Sequence, residues 1–218
     1  MESSRAVFLD RMTVTEFAIL HLKSADIGPE MLDDAKHSLN VQNEWHTHNY
    51  PHLPNTLAGR ASLMLQQIED PTRLLVTAEW ESVESHFHWI GSEENKSVMA
   101  TVSSYLADDH AAELDLSHID GTFFDTTTLG GSIISIERFF VNQKSKDRFE
   151  SKLRDIIKKL PDMKGGWRVD GEPGKLEYVI VSNWESVESH DRYISLHAVP
   201  DTIKDVAETK TKHYRRVV

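Results

Sequence analysis

The chain has 218 residues, 39% of them apolar and 27% charged, with eight Phe and five Trp, enough to bury a sizeable core. A net charge of -11 argues against nucleic-acid or anionic-membrane partners, which call for a basic patch, and the one dense basic run, Lys210 to Arg216, reads as a solvated last strand. The absence of cysteine excludes disulfides, thiolate metal centres and a Cys nucleophile.

No segment reaches the roughly 18 apolar residues of a membrane span, and Met1 to Met12 has no continuous apolar run of signal-peptide type. The expected location is the cytoplasm.

In chain order, Val14 to Leu22 has strand character, and Pro29 to about Trp45 predicts a helix with Met31, Leu32, Ala35 and Leu39 on its apolar stripe. Arg60 to Ile68 and Arg73 to Trp80 predict two strands around the turn Glu69-Asp70-Pro71. A helix to about Gly91 follows, then a helical piece near Ser97 to Leu106 and a strand near Leu114 to Phe124.

Asp125 to Gly131 predicts a linker. Beyond it, Ser132 to Phe140 reads as a strand and Lys144 to Lys159 as a helix. Gly166 to Asp170 and Leu176 to Trp184 read as strands, the heptad helix follows, and Lys210 to Val218 is a closing strand.

Each half therefore has the order βαββαβ, the ferredoxin-like unit. The repeat is explicit in one place. Trp80-Glu81-Ser82-Val83-Glu84-Ser85-His86 recurs unchanged as Trp184-Glu185-Ser186-Val187-Glu188-Ser189-His190. Each heptad ends a strand, supplies a Ser N-cap and starts a helix with an acid in its first turn.

The expected architecture is α+β: two ferredoxin-like βαββαβ repeats, residues 1–124 and 132–218, pairing within one chain into an α+β barrel. Each sheet would otherwise leave one apolar face exposed. The first half is the longer, and its extra residues fall at 45–57.

This strand-Trp-Glu-Ser-x-Glu-x-His-helix pattern inside a βαββαβ unit resembles the antibiotic-biosynthesis monooxygenase (ABM) domain of the dimeric α+β barrel superfamily, in a tandem form of fungal type. The resemblance covers both halves. It implies cofactor-independent chemistry on a hydrophobic, enolisable small molecule such as an aromatic polyketide-like secondary metabolite. Deprotonation would lead to oxygenation, or to cyclisation, elimination or decarboxylation. Haem-degrading relatives carry a haem-ligating His where this chain has Ile90 and Ile194, which speaks against haem degradation.

Twelve His stand in the chain, and the densest group is Trp45-His46-Thr47-His48-Asn49-Tyr50-Pro51-His52. If extended, this stretch turns His46 and His48 to one side, where neutral imidazoles could act as bases or bind a metal; a polar surface loop is the plain alternative. His86 and His190 each lie on an apolar helix stripe, where a buried structural His is the competing reading.

The expected catalytic residues are His46, His48, His52 and His86, with the cavity in the first half. Expected to contact substrate are Tyr50, Trp80, His88, Trp89, Arg138, Trp184 and His190. No metal and no cofactor are expected. The partner is a hydrophobic small molecule, with room for a homodimer. A non-catalytic, ligand-binding or stress-related barrel is the alternative. P-loop, G-x-G-x-x-G, G-x-S-x-G and H-E-x-x-H motifs are absent, which argues against nucleotide-dependent and classical hydrolase chemistry.

Overall fold

Two runs of the same element order build one closed sheet. A computed structural model describes residues 13–125, 129–157, 163–196 and 203–218. The first run holds β1 (Val14–His21), α1 (Pro29–Asn49), β2 (Leu63–Gln67), β3 (Arg73–Trp80), α2 (Val83–Ile90), α3 (Glu93–Val102), the single turn α4 (His110–Glu113) and β4 (Asp115–Asp120). The second holds β5 (Ile133–Asn142), α5 (Lys146–Ile157), β6 (Lys164–Trp167), β7 (Lys175–Trp184), α6 (Val187–Leu196) and β8 (Ala207–Arg216). The middle of the expected linker, Thr126 to Thr128, and the expected helix end at Lys158 and Lys159 lie outside the described residues.

The eight strands form one antiparallel sheet in the order β4-β1-β3-β2-β8-β5-β7-β6. Within each run the order is fourth-first-third-second, the ferredoxin-like arrangement. The runs join where β2 pairs with β8, Leu65 opposite Arg216. The free edges then meet: Ile119 of β4 bridges Arg168 just after β6, and the Val169 N–H donates to the His118 carbonyl at 2.9 Å. Closure brings the backbones so near that a Cβ on Gly166 would sit 1.9 Å from the Asp120 carbonyl oxygen, so only glycine fits there.

Strand alternation divides the side chains between two cores. Phe17, Leu63, Leu65, Leu75, Ile119, Ile134, Ile136, Val179 and Val181 face the barrel interior, so both halves supply one core. Truncating Leu65 or Leu75, neither of which reaches water, should cost about 2–5 kcal/mol. The outer face is covered by helices. Leu22, Met64 and Leu74 pack against Ala35 and Leu39 of α1, and Phe139, Ile180 and Val206 against Phe149 and Leu153 of α5.

Two local expectations are corrected. The stretch from Trp45 is not extended: α1 runs on to Asn49, ended by the Tyr50 N–H bonding the His46 carbonyl and by Pro51. Asn, Thr and His are weak helix formers, but Trp45 and His46 pack on Trp89 and Trp80, and that contact holds the last turn. At about 100° per residue, His46 and His48 then point to nearly opposite sides, one buried and one exposed. Arg60 does not begin a strand either. It ends a short 3-10 turn, Ala58–Arg60, and the strand starts at Leu63 after Ala61, whose φ is 49°.

Candidate active site

The helix-facing side of β1 carries Glu16, Ala18 and Leu20, a carboxylate among apolar residues. With Met64 and Val76 these form the floor of a cavity of about 230 Å³. Ser38, Leu39 and Gln42 of α1, His86, Trp89 and Ile90 of α2, and Val98, Met99 and Val102 of α3 form its walls and roof. His110, Leu114 and Leu116 complete the lining, and Ile90 and Leu114 are partly in solvent. Apolar voids of about 150 Å³ accept benzene, so this one has room for a substituted ring.

The shared heptad sets the cavity's polar end. Trp80 is fully buried at the end of β3. Ser82 caps α2 by accepting from the Ser85 N–H at 3.2 Å, while the Ser85 hydroxyl accepts from the Ser82 N–H at 3.1 Å. That reciprocal cap fixes the first turn and points His86 inward, its ring stacked on Trp80 at 4.6 Å between centroids.

A chain of polar contacts starts at Glu16. Its carboxyl accepts from the Trp80 indole N–H at 2.9 Å and faces His86 Nε2 at 3.3 Å. His86 Nδ1 meets His118 Nε2 at 2.7 Å, and His118 Nδ1 meets Asp170 Oδ2 at 2.8 Å. His118 comes from β4 and Asp170 from the turn after β6, so the chain crosses the barrel's closing seam.

The electrostatics give the chain a direction. Burial raises Glu16 to about 7, against smaller opposing effects of Trp80 and Arg60. Burial lowers His86 to about 3, helped by His118 and Arg60. Burial alone would raise Asp170, but hydrogen bonds from His118 and Arg168 outweigh it and hold the carboxyl well below the usual carboxylate range.

An ionised Asp170 takes the His118 Nδ1–H, leaving His118 Nε2 as acceptor for the His86 Nδ1–H. His86 Nε2, 3.3 Å from Glu16, is then the acceptor that faces the carboxyl when it is protonated. These tautomers follow from the network. A buried carboxyl on the cavity floor is thus connected, through two imidazoles, to a carboxylate that reaches solvent.

The residues singled out from sequence fall in several places. His86 and Trp89 line the cavity. Trp80 is a core plug beneath it. His46 is buried on the far side of Trp80, 5.6 Å from its ring. His48 is exposed, and His52 is exposed and pairs with Glu81 at 3.1 Å. Tyr50 contacts exposed His88 at 3.3 Å. Arg138 is held by Asp115 and Glu177. Trp184 and His190 belong to the second half.

The expectation that His46, His48 and His52 converge is therefore corrected, because the helix separates the first two and the third follows the turn. Glu16, His118 and Asp170 went unread, although a carboxylate on the apolar face of a first strand was a visible signal.

The second half repeats the chain. Glu137 meets His190 at 2.9 Å, His190 meets His213 at 2.8 Å, and His213 meets Glu69 at 2.8 Å. Among the described residues, the His190, Asp191 and His213 ligand atoms lie within 4.8 Å of one another, close enough to hold a metal ion, although both imidazoles are already engaged by each other and by carboxylates. Among those residues no helix is long and apolar enough to cross a membrane.

No family model matches the sequence, and no curated protein does either. Solved structures do match in fold. A candidate monooxygenase from Fusobacterium nucleatum aligns with a TM-score of 0.63 at 10% identity, over 96% of this chain and 94% of that one. An anthrone oxidase-like protein aligns with a TM-score of 0.55 at 13% identity, over 96% and 93%. A candidate monooxygenase from Lactobacillus acidophilus aligns with a TM-score of 0.54 at 9% identity, over 95% of each chain. The fold is that of the dimeric α+β barrels, with both halves in one chain.

Proposed function

We propose that this chain is a tandem ABM-type barrel enzyme that deprotonates a hydrophobic, enolisable small molecule in its first-half cavity, with Glu16 as the base. The observation that carries the reading is a buried carboxyl, raised to about 7, on the floor of an apolar cavity and 3.3 Å from the first imidazole of a relay that leads out of it. A general base works best near neutral pH, and burial brings Glu16 there.

Glu16 takes a proton from an acidic C–H of the substrate. His86 and His118 exchange that proton towards Asp170, which resets the carboxylate. The apolar walls hold the ring and exclude water from the carbanion. For an anthrone-type substrate, dioxygen adds to the carbanion. The resulting hydroperoxide loses water, so a CH₂ group and O₂ give a ketone and H₂O without an added reductant.

Cyclisation, elimination or decarboxylation would start from the same deprotonation. Support for oxygenation comes from fold neighbours described as monooxygenases and anthrone oxidase-like. The test is oxygen uptake with anthrone-type aromatics, wild type against Glu16→Gln. Ketone formed by wild type and lost in the variant is expected. Tight binding with the ligand recovered unchanged would favour the non-catalytic barrel.

A further inference from the structure

Beside Trp80, close enough to act on Glu16 and His86 but not bonded to either, lies a second polar group that the proposed chemistry does not use. Arg60 is 1% exposed, and its Nε and Nη1 have no hydrogen-bond partner. Nη2 reaches only the Glu79 carbonyl, at a long 3.4 Å. His46 is fully buried with both ring nitrogens unpartnered, and the same holds for Gln42 Oε1 and the Ser62 hydroxyl.

Two of these groups, Arg60 and His46, contact one indole. The Arg60 guanidinium lies 5.0 Å from the Trp80 ring centre and the His46 ring 5.6 Å. His46 and Gln42 are one turn apart on α1, and Ser62 stands two residues after Arg60. The residue between, Ala61, holds the left-handed conformation, which a non-glycine residue adopts only when its surroundings impose it.

The donor inventory decides what fits. Among the described residues no carboxylate pairs with Arg60 at ion-pair distance, although Glu16 and Glu79 act on it from further off, and such burial is costly. Most of the open positions are donors: three N–H of Arg60 on Nε and Nη1, the Ser62 hydroxyl and one N–H of His46. A cation is repelled by Arg60. A water molecule brings no charge. A planar anion with two acceptor oxygens matches the fork of Arg60 and offers the second oxygen to Ser62 or His46.

We propose that this cluster of unpartnered groups, which borders the apolar cavity at Gln42, takes a small carboxylate bound against Arg60 with Ser62 and His46. Gln42 lines the apolar cavity on one side and contributes one of the unpartnered atoms on the other. The carboxylate could therefore be a free ion or the acid group of a molecule seated in that cavity. This holds whether or not the chain turns over a substrate.

The test is thermal unfolding of the full chain with formate and with benzoate at constant ionic strength, in wild type, Arg60→Met, Ser62→Ala and Leu20→Phe. A saturable rise in wild-type Tm of roughly 5 °C or more at a hundredfold excess over Kd is expected, absent in Arg60→Met. Without anion, Arg60→Met should match or exceed wild type in Tm, because a buried cation without an ion-paired carboxylate has been removed.

Equal affinity for formate and benzoate, retained in Leu20→Phe, assigns the site to a free ion. Tighter benzoate, lost in Leu20→Phe while formate binding persists, assigns it to the acid group of a cavity ligand. If wild type responds no more than Arg60→Met, the cluster takes no carboxylate and the proposal fails. Should Arg60→Met not fold, Ser62→Ala decides. Several-fold weaker formate binding supports the site, and unchanged affinity overturns it.

Discussion

The two halves share a relay and differ in what lies above it. In each, a carboxylate on the first strand, a His after the heptad, a His on the last strand and an acid from the other half's hairpin form one chain. Each relay also closes a seam: the His118 carbonyl accepts from the Val169 N–H, and the His213 carbonyl from the Ile68 N–H. The acid–His–His unit is therefore architectural in origin.

The cavity is what sets the first half apart. Register aligns Val14 with Ile133, since each sits opposite its half's Trp. Glu16 then corresponds to Ser135, Ala18 to Glu137 and Leu20 to Phe139. In the second half Trp184 donates to Ser135 and Ser182, while Phe139, Phe149, Trp167 and Tyr178 fill the space beneath α5. A relay under a packed core has no substrate to serve. Under a cavity, the same relay ends on a carboxyl that a ligand can reach, the base proposed above.

The largest expected effect breaks this symmetry directly. Glu16→Gln should lower turnover by roughly 10²–10⁴-fold with the fold intact, while Glu137→Gln leaves turnover near wild type; steady-state kinetics decide. If both variants lose activity equally, the distinction between the halves is wrong.

A stability measurement sharpens the point. Glu16 has a folded pKa of about 7 against 4.5 unfolded, so its raised value favours the folded state at low pH, and that advantage is lost as pH rises from 4.5 through 7. Glu16→Gln should therefore gain up to about 3 kcal/mol over wild type at pH 8 and much less at pH 5, read by urea unfolding.

Opening the packed half should cost more than closing the open one. Phe149→Ala should destabilise by about 3–5 kcal/mol, whereas Leu20→Phe, which imports the second half's side chain, should abolish ligand binding with little loss of stability. Thermal unfolding and fluorescence titration measure the two.

Acid should loosen both seams. Asp170 is held below its unfolded value, and its contribution is lost as pH falls through the carboxylate range. His86, neutral down to about 3, adds to the loss below pH 6.5. Asp170→Asn should flatten that acid limb. The smallest effect falls on exposed His48, where Ala should stay within about 0.5 kcal/mol of wild type and leave turnover unchanged.

The order βαββαβ in both halves, the limits of β3 at Arg73 and Trp80, and the caps Ser82 and Ser186 were legible because they rest on local alternation and capping. The His-rich stretch misled because the last turn of α1 exists by contact with two Trp rings, which no local pattern records. His118 and Asp170 come from different halves and meet only when the sheet closes. Periodicity along the chain fixed which face each residue would occupy. Which faces meet, which relay acquires a cavity, and where a buried Arg60 is left without an ion-paired carboxylate were decided by strand register and closure, because those depend on contacts between residues far apart in sequence.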